Sequence, residues 1–192
     1  MRFGGKMAQK SVSQWKQKTA YTILAPENFE NHVIGQTIVN DPKNLIGRTI
    51  EVSLADLTKD KSKQHSKLIF EINDVRGDRA YTKFKKLDTS MGYIRSKIHK
   101  GVSKIDYISD LNISGTKVRL KTMILTNHQI TKSQGKDIIV VLKKVLNEHR
   151  STKFDQFIQL ILFGKLGTEI YHKIKSICPI SRVELWQMRI LR

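Results

Sequence analysis

The stretch Leu68-Ile69-Phe70-Glu71-Ile72-Asn73-Asp74-Val75-Arg76-Gly77-Asp78-Arg79-Ala80-Tyr81-Thr82-Lys83-Phe84-Lys85-Lys86-Leu87 decides the fold class. Leu68, Phe70 and Ile72 alternate with Ile69, Glu71 and Asn73, and a period of two places one side of the segment in a core and the other towards solvent. Arg76-Gly77-Asp78 interrupts the alternation, which resumes from Ala80 to Leu87, so the spacing predicts a β-hairpin. The interrupting tripeptide matches an adhesion motif. At this position its residues are those that a tight turn requires, and the turn accounts for them.

Outward from the hairpin, the amino-terminal side is also β-like. Residues 21–24 run into Ala25-Pro26, a second extended piece covers 33–39, and Asp41-Pro42 marks a turn. Gly47 opens a strand in which Ile50, Val52 and Leu54 alternate with Thr49, Glu51 and Ser53, and residues 59–67 read as a lysine-rich loop. On the carboxyl-terminal side, Asp88-Thr89-Ser90 reads as a helix start. Met91, Ile94 and Ile98 form an apolar stripe ending at Gly101, opposite Tyr93, Lys97 and Lys100. Two strands follow, at 103–113 and 117–126, joined by Ser114-Gly115.

After Asn127 the period becomes helical. Ile138, Val141, Leu142 and Val145 define an amphipathic helix over about 133–148. Phe154, Phe157, Ile158 and Ile161 define another that ends near Gly164. A third is expected from Thr168 to Ile177, and residues 182–191 are again extended. These readings predict an α+β fold: a strongly bent, mostly antiparallel sheet or partial β-barrel with helices packed on it, a helical C-terminal part and a closing strand. The expected division is a basic N-terminal arm (1–18), a β-rich barrel-like part with one helix (19–127), and a helical part with the closing strand (128–192), the last two sharing one core.

Charge narrows the function. The 192 residues carry 35 Lys+Arg and 17 Asp+Glu, a net charge of +18, which self-repels unless a polyanion is the normal partner. No apolar run approaches a membrane span and no signal-peptide pattern opens the chain, so a soluble cytoplasmic protein without membrane attachment is expected. Nothing points to an enzyme, a cofactor or a metal site. The six histidines show no i, i+4 pair, Cys178 is the single cysteine, and Asp106 and Asp110 read as turn and surface carboxylates. Gly164-Lys165-Leu166-Gly167 lies between two predicted helices and ahead of a strand, as does the backbone-clamping loop of a KH module; the competing reading is a helix C-cap and short link.

Basic residues recur through nearly every element, with Trp15, Tyr81 and Tyr93 among them, and no compact aromatic platform is legible. Distributed charge of this kind suits backbone contacts along a large, shaped RNA. Lys6, Lys10, Lys16, Lys18, Lys83, Lys85, Arg95, Lys97 and Lys100 are the expected phosphate contacts, with Trp15 stacking or docking.

Gly47-Arg48-Thr49-Ile50-Glu51-Val52-Ser53-Leu54-Ala55-Asp56-Leu57 resembles the signature strand of the S-three-A-e family of small-subunit ribosomal proteins of archaea and eukaryotes. Further landmarks follow in the family's order: Trp15, Tyr21, Ala25-Pro26, Ile34-Gly35, Tyr81-Thr82-Lys83-Phe84, Tyr93-Ile94-Arg95-Ser96, Lys104-Ile105-Asp106 and Ile177-Cys178-Pro179-Ile180. Cys178 stands where the family pattern has an aromatic. The resemblance spans almost the whole chain and fits the shorter archaeal form. It implies a structural protein on the platform of the small subunit near the messenger RNA exit side, contacting small-subunit ribosomal RNA and neighbouring ribosomal proteins. The family offers no active site to carry over. The alternative expectation is a free KH-like RNA-binding regulator using the 164–167 loop.

Overall fold

The computed structural model describes residues 18–191. Most of the expected arm, including Lys6, Lys10, Trp15 and Lys16, lies outside the described residues; Lys18 is exposed at their start. The elements are β1 (Thr19–Leu24), β2 (Val33–Val39), β3 (Thr49–Ser53), α1 (Leu54–Thr58), β4 (Ser66–Arg76), β5 (Arg79–Thr89), α2 (Met91–Ser96), β6 (Lys104–Ile113), β7 (Thr116–Thr126), α3 (Lys132–Glu148), α4 (Phe154–Leu162), α5 (Lys165–Ile174) and β8 (Ile180–Ile190). Short 3-10 turns punctuate the loops. The strands form a mixed, mostly antiparallel sheet ordered β2-β1-β5-β8-β7-β6, with β4 pairing β5 and β3 pairing β4. The fold is therefore α+β with a closing strand at its carboxyl end, as the hairpin and the helical periodicity require.

Two compact units share the chain. Among the described residues, the first comprises 18–50 and Glu71–Lys83. In it β1 runs antiparallel to β2, with Thr19 opposite Val39, and parallel to the start of β5, with Thr22 opposite Arg79. Its core gathers Tyr21, Ile23, Val39, Leu45, Ile72 and Ala80. The Thr82 hydroxyl donates to the Leu24 carbonyl at 2.8 Å, satisfying a buried hydroxyl.

The second unit comprises Glu51–Phe70 and Phe84–Arg192. Here β7 is flanked by antiparallel neighbours, β6 from Lys104 opposite Leu125 to Ile113 opposite Thr116, and β8 on its other edge. The end of β5 pairs β8 in turn, with Lys86 opposite Arg189. Along β7, Val118, Leu120, Thr122, Ile124 and Thr126 are all buried, the alternation of a strand with one face in the core. On its other face exposed Lys117 and Arg119 give way to buried Met123 and Leu125, because Ile94 of α2 covers that end. The helices bury Ile138, Leu142 and Val145 from α3, Phe157 and Ile158 from α4, and Leu166, Ile170 and Ile174 from α5. The start of α3 carries a reciprocal capping box between Thr131 and Gln134, which satisfies two otherwise unpaired backbone donors.

Four local expectations change. The strand from Gly47 ends at Ser53, whose hydroxyl accepts the Ala55 N–H at 3.3 Å and starts α1; Leu54 is buried from a helix, not from the strand. The stripe on α2 reduces to Ile94: Met91 is 50% and Ile98 37% exposed, and the helix ends at Ser96, before Ile98. The expected polar loop at 59–67 is in part ordered, with a 3-10 turn at Lys61–Lys63 and β4 beginning at Ser66. Finally, α5 begins at Lys165 and ends at Ile174. The Gly164–Gly167 stretch is thus not a loop, since only Phe163 and Gly164 separate α4 from α5 and Gly167 is helical.

Candidate nucleic-acid interface

The interface begins with one buried isoleucine. A helix of six residues has no stability of its own, so α2 is held by Ile94, which is 3% exposed against Met123 and Leu125. That anchor fixes the direction of its neighbours. Arg95 and Lys100 point into solvent, and neither has an ion-pair partner among the described residues. Lys97, half-buried, places its ammonium 5.1 Å from the centre of the Tyr93 ring.

Tyr93 is the hub of a cluster drawn from four elements. The His65 imidazole, just ahead of β4, stacks on it with ring centroids 3.7 Å apart and planes 13° from parallel. From β8, Arg182 donates to the Tyr93 hydroxyl oxygen at 2.8 Å, and the hydroxyl donates to Glu184 at 3.3 Å. Arg182 also reaches Glu184 at 3.2 Å. Trp186 packs against the same apolar cluster, with the Lys121 ammonium of β7 4.9 Å from its ring. Burial, then the Glu184 charge, raises the pKa of the Tyr93 phenol, so it remains a hydrogen-bond donor at neutral pH. Burial lowers the His65 pKa, with Arg182 and Lys97 pushing the same way against Glu184, so the imidazole is neutral at pH 7. The result is an aromatic patch of His65, Tyr93 and Trp186 bordered by Lys97, Lys121 and Arg182. Such a patch offers stacking and cationic contacts without a catalytic dyad.

Of the expected phosphate contacts, Arg95, Lys97 and Lys100 are brought together on and just after α2. Lys83 and Lys85 are not equivalent. The burial alternation of β5 changes phase between Phe84 and Leu87, leaving Lys83 exposed, whereas Lys85 and Lys86 are both half-buried. Lys86 is ion-paired with Asp88. Several other cations are neutralised within the protein: Lys67 by Glu51, Lys104 by Asp106, Arg119 by Asp110, and Lys173 by Glu148 and Glu169. The aromatic patch escaped sequence reasoning because positions 65, 93 and 186 share no window. Only the pairing of β8 with β7 and the packing of α2 bring them into one place.

The carboxylates and the thiol are structural. Arg119 holds Asp110 through two bonds of 2.7 and 2.8 Å, and that hydrogen bonding lowers the carboxyl pKa. Cys178 is buried, and burial raises its thiol pKa away from reactivity. Among the described residues no three His, Cys, Asp or Glu side chains are grouped to hold a metal ion.

A strongly cationic α+β scaffold that presents aromatic and basic side chains together has the surface chemistry of polyanion-binding proteins. The Ribosomal S3Ae family matches residues 6–192. Among archaeal relatives, small ribosomal subunit protein eS1 of Methanobrevibacter smithii is 42% identical over 179 residues, covering 92% of this chain and 93% of that protein. The proteins of the same name from Methanothrix thermoacetophila and Haloarcula marismortui are 38% and 36% identical. They cover 96% and 93% of this chain, and 88% and 85% of their own lengths. The chain belongs to the Ribosomal S3Ae family: it is a structural ribosomal protein of the small subunit in the cytoplasm, not an enzyme.

Proposed function

We propose that the protein binds small-subunit ribosomal RNA on the platform, near the messenger RNA exit side, and lies there beside neighbouring ribosomal proteins and within reach of messenger RNA. The observation that carries this reading is the placing of Arg95, Lys97 and Lys100 on and just after α2, beside the Tyr93 patch, on a chain with a net charge of +18. Lys97, held over the Tyr93 ring, loses less side-chain freedom on meeting a phosphate than an unheld lysine does. Lys83 and Lys85 on β5 are further phosphate contacts in this reading, as are Lys6, Lys10, Lys16 and Lys18 of the basic arm, with Trp15 as its stacking or docking residue.

The competing reading as a free KH-like regulator lacks its loop, because Lys165, Leu166 and Gly167 are committed to α5. A salt titration of the full chain with small-subunit ribosomal RNA tests the ribosomal reading. Log affinity falls linearly with log salt, and the Arg95→Ala/Lys100→Ala double variant lowers the slope by about 2, one per lost phosphate contact. An unchanged slope refutes the assignment of α2.

A further inference from the structure

Phe163 closes α4, and Gly164, at φ +72°, turns the chain directly into α5. The turn leaves the Phe163 side chain 60% exposed at a helix corner. It borders two clefts. One, of about 340 Å³, is lined also by Lys63, His65 and Thr168; the other, of about 330 Å³, by Gln156, Gln159 and Lys165. Both are at the small end of the range that accepts compact planar ligands. The Lys63 ammonium stands 5.0 Å from the centre of the Phe163 ring. The first cleft is floored by close backbone approach, since a Cβ on Gly167 meets the Val183 carbonyl oxygen at 3.4 Å.

We propose that Phe163 is a wedge that separates two consecutive bases of an unpaired ribosomal RNA strand, one base in each cleft, with Lys63 and Lys165 meeting the flanking phosphates. This rests on the RNA-binding reading above and adds the form of RNA recognised. Base–aromatic stacking needs an exposed base face, which unpaired strands offer and duplexes do not. The polar groups fit the edges of such bases: the Gln156 and Gln159 amides on one side, the Thr168 hydroxyl and the neutral His65 imidazole on the other. Glu184, which also lines the first cleft, is already engaged by Tyr93 and Arg182. An apolar protein segment covering the corner leaves the Lys63 ammonium and the two glutamine amides without partners, at a desolvation cost. A nucleotide supplies acceptors for all three.

Two measurements test the wedge. Benzoylphenylalanine introduced at position 163 and irradiated in assembled small subunits should form its adduct with unpaired ribosomal RNA. An adduct with a protein or a paired nucleotide, or no RNA adduct, overturns the proposal. For the purified full chain, Phe163→Ala should weaken binding of a single-stranded RNA containing 2-aminopurine about tenfold and abolish its stacking quench, with Phe163→Tyr retaining both. The ring is exposed, so neither variant threatens the core. Unchanged affinity and quench in Phe163→Ala remove the wedge and leave the RNA reading standing if binding to small-subunit ribosomal RNA persists. Failure of the unaltered chain to bind any RNA removes both.

Discussion

Replacing Ile94 with alanine tests how the scaffold presents its cations. Ile94 is 3% exposed and is wedged against Met123 and Leu125 of β7. Those two residues belong to a strand paired on both sides, so the site cannot collapse freely around the missing atoms. Large-to-small substitutions of this type cost about 2–5 kcal/mol, and the rigid strand beneath places Ile94→Ala near the middle, at about 3 kcal/mol. The six-residue α2 has no other buried anchor among its described residues, so amide exchange along Met91–Ser96 should accelerate more than elsewhere. Arg95, Lys97 and Lys100 then lose their common placement, and the salt dependence of RNA binding should flatten by about 2 to 3 in slope. Urea unfolding gives the first quantity and filter-binding titration the last. A stability loss below about 1 kcal/mol together with an unchanged slope refutes the idea that one side chain holds the interface. Met91→Ala, at a position 50% exposed, is the matched control and should change stability by no more than about 0.5 kcal/mol.

Thr122 is fully buried on β7, and its hydroxyl has no hydrogen-bond partner among the described residues, as is also true of Ser109 on β6. Thr122→Val removes the unsatisfied hydroxyl at nearly constant volume and should stabilise the protein by about 1 kcal/mol in thermal or urea unfolding; destabilisation contradicts the reading. Burial sets the pKa of His65 in the folded state below its ordinary value of 6.5, so the unfolded chain binds more protons in the window just beneath that value. Stability should therefore be full above pH 6.5 and fall as pH drops through the folded pKa, and His65→Phe should remove that part of the slope in unfolding curves across pH. Gly164→Ala forces a side chain into φ +72° and should cost about 1 kcal/mol or somewhat more by the same unfolding assay; no loss shows that the corner relaxes.

What the sequence discloses and what it hides divide along physical lines. The β4–β5 hairpin and the β6–β7 pair are legible because alternation over ten residues with a Gly-containing turn has few competing solutions. The helices α3 and α4 are legible for the analogous reason at a period of 3.6. The helix α1 is hidden because Ser53-Leu54 continues the alternation of β3 while the serine hydroxyl turns the backbone into a helix. The start of α5 is displaced because Gly164-Lys165-Leu166-Gly167 looks like a connection, yet one left-handed residue suffices to join two helices. The inequality of Lys83 and Lys85 follows from a change of phase within β5 that no periodicity rule foresees. Of the site, the cations on and after α2 are legible from charge and family resemblance. The stacking of His65 on Tyr93 and the placing of Trp186 beside them are tertiary facts, created by contacts between segments well separated along the chain.

The surface cations on and after α2 are proposed to meet ribosomal RNA phosphates in the assembled particle. A cryo-electron microscopy map of the small subunit containing this chain measures that most directly. Ribosomal RNA phosphate oxygens should stand within hydrogen-bonding distance of Arg95, Lys97 and Lys100. A map in which those three side chains face solvent or protein, with no ribosomal RNA backbone against α2, contradicts it.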